Sequence, residues 1–185
     1  PYADCGVDSL VVTNSIFYNG GKEGILFFSG SSGANPVPLN YGEVSNSTFY
    51  NIDREAVHSG SNSTVGSEIL LNRLTVYDVG NEENKPMIRF RNEDNVTVKN
   101  SIFVHSTNAD AGEEFADMAS SANLFHHNAW YDIVNSEVGS ATVSDTINVD
   151  PQFADAANAD FMLPLGHVLL TYGDDGDIIG DSRWD

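Results

Sequence analysis

The sequence predicts an all-β fold, a parallel β-helix of about five coils with a C-terminal cap, and three observations carry that prediction. The first is a repeat: the pattern Val96-Thr-Val-Lys-Asn-Ser-Ile-Phe-Val-His-Ser106 returns at Val12 to Asn19, Val44 to Asn51, Leu70 to Asp78 and His127 to Asp132. Aligned on Asn14, Asn46, Asn72, Asn100 and Asn128, the copies lie 32, 26, 28 and 28 residues apart, a period typical of solenoids, propellers and arrays. The second is alternation of β-branched and aromatic residues with polar ones, as at Val96, Val98 and Phe103, which marks strands. The third is a second short apolar run in each interval: Gly24 to Phe28, Ala56 to His58, Met87 to Phe90 and, weakly, Phe115 to Met118. A unit this short cannot bury its own apolar face, so successive copies must stack.

Taken in order, residues 1 to 30 hold the first coil, with a strand at Leu10 to Val12, a turn at Asn14, the Phe17 strand and then Gly24 to Phe28. Asparagine suits the turn because it tolerates left-handed backbone and its amide can bond the equivalent amide one coil away. The five asparagines are expected to form an internal ladder, with Asn46 buried in it. Phe17, Phe49 and Phe103 should stack as an apolar column, with Thr75 and Tyr131 as imperfect members. Ser29 to Tyr41, rich in Ser, Gly, Asn and Pro, reads as a loop. Thr107 to Glu114 is a polar insertion, with a short helical turn expected at Glu113 to Met118. Coils are assigned to residues 1–149. Residues 150–185, with Phe153, Phe161, Leu163, Leu165, Leu169 and Trp184, are assigned to a cap of the same domain, since a bare end of stacked strands invites aggregation.

Composition narrows the function. With 41% hydrophobic residues the chain can build a core, and its net charge of −19, from 27 acidic and 8 basic residues, argues against nucleic acid or an anionic membrane as partner. It also disfavours an acidic polysaccharide, whereas a neutral ligand suffers no such repulsion. Cys5 is the single cysteine, so no internal disulfide forms. No run is long and apolar enough for a membrane span, and no basic-then-apolar leader opens the sequence. The chain is therefore expected to be part of a larger secreted polypeptide.

Two groups of residues are candidates for chemistry. If Phe17 and Phe49 face inward, Tyr18 and Tyr50 face outward on adjacent coils, with Tyr77 near the same column. Val104 and Asp132 take the corresponding places further along, and Asn19, Asn51 and His105 lie beside them. Aromatic faces pack on sugar rings while amides and carboxylates take hydroxyls, so this column, with Trp130 and Tyr41, is the candidate ligand-binding surface. The second group is basic: Arg89 and Arg91 alternate outward around Phe90, and His58 of the preceding coil falls beside them. A lyase would need such a cluster to remove a proton next to a uronate carboxyl; the alternative is that the arginines answer Glu55, Glu93 and Asp94 as ion pairs. Asp174-Asp-Gly-Asp177 lacks the spacing of a calcium loop, and His126-His127 has no third ligand. No metal or cofactor is expected.

The repeat, Asp150-Pro-Gln-Phe-Ala-Asp-Ala-Ala-Asn-Ala-Asp-Phe161 and the ending Ile178-Ile-Gly-Asp-Ser-Arg-Trp184 resemble the C-terminal portion of right-handed β-helix proteins of the pectate-lyase-like superfamily. Within it, the chain is similar to β-helical carbohydrate-binding modules appended to gut-bacterial xylanases. That resemblance implies a non-catalytic, xylan-binding module excised from a secreted glycoside hydrolase, with the hydrolase catalytic domain as its partner in the same chain. The alternatives are a polysaccharide lyase fragment acting through His58, Arg89 and Arg91, and a spacer that self-associates through the open strand edges of its N-terminal end.

Overall fold

The computed structural model of the chain describes residues 8–27, 39–59, 67–82, 85–91, 95–106 and 114–185. They are all-β, with fourteen strands and three short 3₁₀ helices. The first repeat holds β1 (Ser9–Thr13), β2 (Ile16–Gly20) and β3 (Ile25–Phe27); the second holds β4 (Tyr41–Ile52) and β5 (Val57–Ser59); the third holds β6 (Glu68–Val79) and β7 (Ile88–Phe90). The fourth comprises β8 (Val96–Lys99), β9 (Ile102–Ser106) and β10 (Ala116–Met118), and the fifth β11 (Leu124–His126) and β12 (Ala129–Ile133). An incomplete sixth follows, β13 (Thr142–Ser144) and β14 (Ile147–Asn148).

Every strand pair is parallel, and strands stack in chain order. One sheet runs β1-β4-β6-β8-β11-β13 along one leg and β2-β4-β6-β9-β12-β14 along the next, because β4 and β6 pass through the bend unbroken. The second sheet is β3-β5-β7-β10. A continuous core lies between them, built of columns such as Val12, Val44, Leu71, Val98 and Phe125 from one leg and Ile25, Val57, Ile88 and Ala116 from the second sheet. Each fully buried aliphatic side chain contributes about 1.5–3 kcal/mol.

The left-handed turn positions correct the asparagine alignment. Asn14, Asn46 and Asn100 do adopt positive φ, but the third and fifth repeats place Arg73 and His127 there, not Asn72 and Asn128, and Asp145 serves the sixth. The underlying period is more regular than the asparagines suggest: Leu74 and Ser101, then Ser101 and Asn128, are equivalent and 27 residues apart. The aromatic column shifts accordingly to Phe17, Phe49, Val76, Phe103 and Trp130, so Thr75 and Tyr131 are not in it. A second column of left-handed residues, Asn19, Asn51, Asp78, His105 and Asp132, lies five residues further along.

The internal polar ladder is made by the residue after the turn. Ser47 Oγ accepts from Ser15 N, Ser101 Oγ from Leu74 N, and Asn128 Oδ1 from Ser101 N. Asn46 is half-buried at the surface and bonds Asn14 one repeat away, so it does not stand in an interior ladder. Tyr41 opens β4, not a loop; the Ser29 to Pro38 part of that loop lies outside the described residues. Ala116–Met118 is strand where a helical turn was expected.

Residues 150–185 do not close the end of the stack, where Val143 of the last rung is 44% exposed. They run back along the flank of the larger sheet to the first repeat. Leu163, Leu169, Ile178 and Ile179 build a second apolar core there against Ile102, Val104 and Ala129. Asp174 bonds Asn100 and Lys99, Gly180 N bonds Asn100 O, and Arg183 reaches the carbonyls of Asn14 and Ser15.

Candidate functional site

The outward column expected from period-two alternation is present. Tyr18, Tyr50 and Tyr77 occupy equivalent positions on β2, β4 and β6, followed by Val104 and then Tyr131. The fifth place belongs to Tyr131, not Asp132, because the turn in that repeat begins at His127. Tyr18 stacks on Tyr50 with ring centroids 5.3 Å apart and is 56% exposed. Tyr50 and Tyr77 are half-buried, since Phe161 packs against both at 5.6 and 5.5 Å and Phe153 meets Tyr77 edge-on.

The C-terminal segment thereby becomes one wall of a furrow whose floor is the second turn column. One cleft, of about 480 Å³, is lined by Asn19, Tyr50, Asn51, Tyr77, Asp78, His105 and residues 156–159. A second, of about 320 Å³, shares Tyr77, His105 and Ala156 and continues to Tyr131, Asp132 and residues 150–153. With rungs about 4.8 Å apart, five stacked positions span roughly 19 Å. Polar groups along the floor are held by each other: Asn51 Nδ2 donates to Asn19 Oδ1 at 2.5 Å, and His105 Nδ1 pairs with Asp132 Oδ2 at 2.6 Å. Burial pushes the Tyr77 hydroxyl above its ordinary pKa, and the carboxylates of Asp78 and Asp132 push it further. The furrow is therefore electronegative.

Five expected residues fall elsewhere. Trp130 turns inward, against Phe115 and the main core. Tyr41 stands on the first leg and donates its hydroxyl to Glu43 at 2.7 Å. His58 and Arg89 belong to the second sheet, where they are register partners and Arg89 pairs with Asp117, and Arg91 directly follows β7. Arg89 is not exposed: at 8% accessibility it is clamped by Glu55 at 2.7 Å and Asp117 at 3.4 Å, while Arg91 takes Asp117 at 2.5 Å. Arg54 joins the cluster through Glu23 at 2.6 Å. Glu55 was foreseeable as an ion-pair partner; Asp117 and Glu23 were not, because their neighbours depend on rung register. Glu93 and Asp94 lie outside the described residues.

Reasoning from sequence also missed the furrow's second wall, residues 150–159, whose only signal was the run Asp150-Pro-Gln-Phe153. No helix among the described residues is long and apolar enough to cross a membrane.

A parallel all-β stack flanked by its own C-terminal segment, with an aromatic and amide-lined furrow, defines the class of protein. The chain belongs to the family described as Domain of unknown function (DUF5123), whose model matches residues 42–184 and so includes both the repeats and the flanking segment. No curated protein matches it.

Proposed function

We propose that this chain is a non-catalytic carbohydrate-binding module, folded as a right-handed parallel β-helix of about five coils of the pectate-lyase-like kind, which takes a neutral polysaccharide such as xylan along the furrow. The observation that carries the proposal is the furrow itself: equivalent tyrosines and hydrogen-bonding turn residues repeat at one-rung intervals over several rungs. A polymer of like units is recognised by a periodic surface, with ring faces against Tyr18 and Tyr131 and hydroxyls on Asn19, Asn51 and His105. The carboxylates of Asp78, Asp132 and Asp150, within a net charge of −19, favour an uncharged ligand over a uronate polymer. Such a module would be secreted as part of a larger protein and would serve an attached glycoside hydrolase by holding it on plant cell wall.

β-Elimination through His58, Arg89 and Arg91 has less support, because the Arg89 guanidinium is buried and engaged by Glu55 and Asp117. The test is affinity electrophoresis against xylan, mixed-linkage glucan, pectate and alginate beside an ultraviolet assay for unsaturated products. Retardation by xylan or glucan without absorbance gain is expected. Absorbance rising with pectate or alginate would replace the proposal with a lyase.

A further inference from the structure

At the second sheet, away from the residues that line the furrow, Glu23, Glu55 and His58 bring one ligating atom each to a common point. One ligand atom of each lies within 4.8 Å of the other two. His58 Nδ1 is 3.7 Å from Glu23 Oε1 and 3.9 Å from Glu55 Oε2, too far for hydrogen bonds. Glu55 is completely buried, and its Oε2 has no hydrogen-bond partner among the described residues, the Arg54 guanidinium standing 3.8 Å away, beyond hydrogen-bond reach. A buried carboxylate oxygen left without a donor costs free energy unless something else meets it.

We propose that Glu23, Glu55 and His58 form a binding site for a divalent first-row transition metal of the zinc class. Atoms bound tetrahedrally to zinc at about 2.0–2.1 Å stand roughly 3.4 Å apart, so the two separations from His58, 3.7 and 3.9 Å, need only a small contraction, while the carboxylate pair, within 4.8 Å, closes around the ion. One imidazole and two carboxylates suit zinc, cobalt or manganese, whereas calcium takes six to eight oxygens and has no use for an imidazole. Three protein ligands leave a fourth position open.

The surrounding cations orient the ligands. Arg89 holds Glu55 through Oε1 at 2.7 Å, which directs Oε2 at the site. Arg54 holds Glu23 at 2.6 Å, and a carboxylate oxygen has a second lone pair for the ion. Such outer contacts fix ligand geometry in known metal centres. The charges nearby, Glu23, Glu55, Glu82 and Asp117 against Arg54, Arg89 and Arg91, leave an excess of negative charge while His58 is neutral. His58 and Glu23 retain 16% and 13% side-chain exposure, which gives an ion access from solvent.

The test is titration of chelator-treated protein with Zn²⁺ by calorimetry and with Co²⁺ by visible absorption, at physiological salt and with Ca²⁺ in competition. The expected result is one saturable equivalent, not displaced by Ca²⁺, with affinity weakened at least about tenfold in His58→Gln and Glu23→Gln and unchanged in His126→Gln. Absence of saturable binding overturns the site, as does binding that survives His58→Gln, which would mark diffuse attraction to an acidic surface. Circular dichroism confirms the fold of each variant. If His58→Gln misfolds, Glu23→Gln, whose side chain is also partly exposed, decides alone.

Discussion

The Trp184 indole donates to the Thr48 hydroxyl at 2.8 Å, joining the end of the chain to a residue 136 positions earlier. The same hydroxyl donates to Asp181 Oδ2 at 2.6 Å, and Asp181 N accepts nothing but donates to Thr75 Oγ1 at 3.0 Å. Asp181 is buried and also receives Arg183. This knot pins the flanking segment over the second and third repeats, and the segment in turn supplies the furrow wall.

Replacing Asp181 by Ala strips partners from Thr48 and Arg183 together. The expected loss is about 2–4 kcal/mol, toward the lower end because Arg183 is partly exposed. Urea denaturation of Asp181→Ala measures it, and an unchanged midpoint would show that the segment is not held by this contact.

Arg73 carries a positive φ of 56° where the first, second and fourth repeats use Asn. Arg73→Asn should cost no more than about 1 kcal/mol, the worth of its surface pair with Asp175. Arg73→Val should cost about 1–2 kcal/mol more, because a branched side chain is strained in that region. Equal midpoints for the two variants in urea would refute the turn assignment.

These positions also show why part of the structure was legible in sequence and part was not. The repeat and the Tyr18, Tyr50 and Tyr77 column follow from local alternation, which period-two geometry fixes. The slip at Asn72 and Asn128 arose because each stands next to the true turn residue, Arg73 or His127, and asparagine is the commoner left-handed residue. The flanking segment could not be placed, since its partners are remote: Asp174 meets Asn100 across 74 residues, and Arg183 meets Ser15 across 168. A segment whose register depends on such contacts reads only as a cap, and the furrow's second wall went with it.

Two titrations should be visible in the folded protein. The hydrogen bond to Glu43, reinforced by burial, pushes the Tyr41 hydroxyl up to about 12. A phenol with a raised folded-state pKa contributes stability that is complete below its unfolded value and is lost as pH rises from there through the folded value. Phenolate absorbance in Glu43→Gln should therefore appear at lower pH than in the wild type.

His58 works in the opposite direction. Burial lowers its pKa below 6.5, so the unfolded state binds the proton first and stability falls as pH drops below 6.5. His126, lowered by burial and by His127, adds to the same trend. Urea midpoints compared between neutral and mildly acidic pH should fall less in His58→Gln than in the wild type. An identical fall in both would remove His58 from the cause.

Binding in the furrow should follow exposure along the tyrosine column. Tyr18 offers an open ring face and Tyr131 stands exposed at the other end, whereas Tyr50 and Tyr77 already pack on Phe161. Tyr18→Ala should weaken xylan binding by roughly fivefold, about 1 kcal/mol for one aromatic contact, and Tyr131→Ala by a similar factor. Tyr41→Phe and Arg91→Ala, on other faces, should leave it unchanged. Because the ligand carries no charge, affinity should scarcely differ between low and high salt, which screens exposed charges. Calorimetry on soluble xylo-oligosaccharides reads all four variants. Loss of binding in Arg91→Ala with retention in Tyr18→Ala would move the ligand to the second sheet, and a steep fall with salt would mean that a charged polymer is the true ligand.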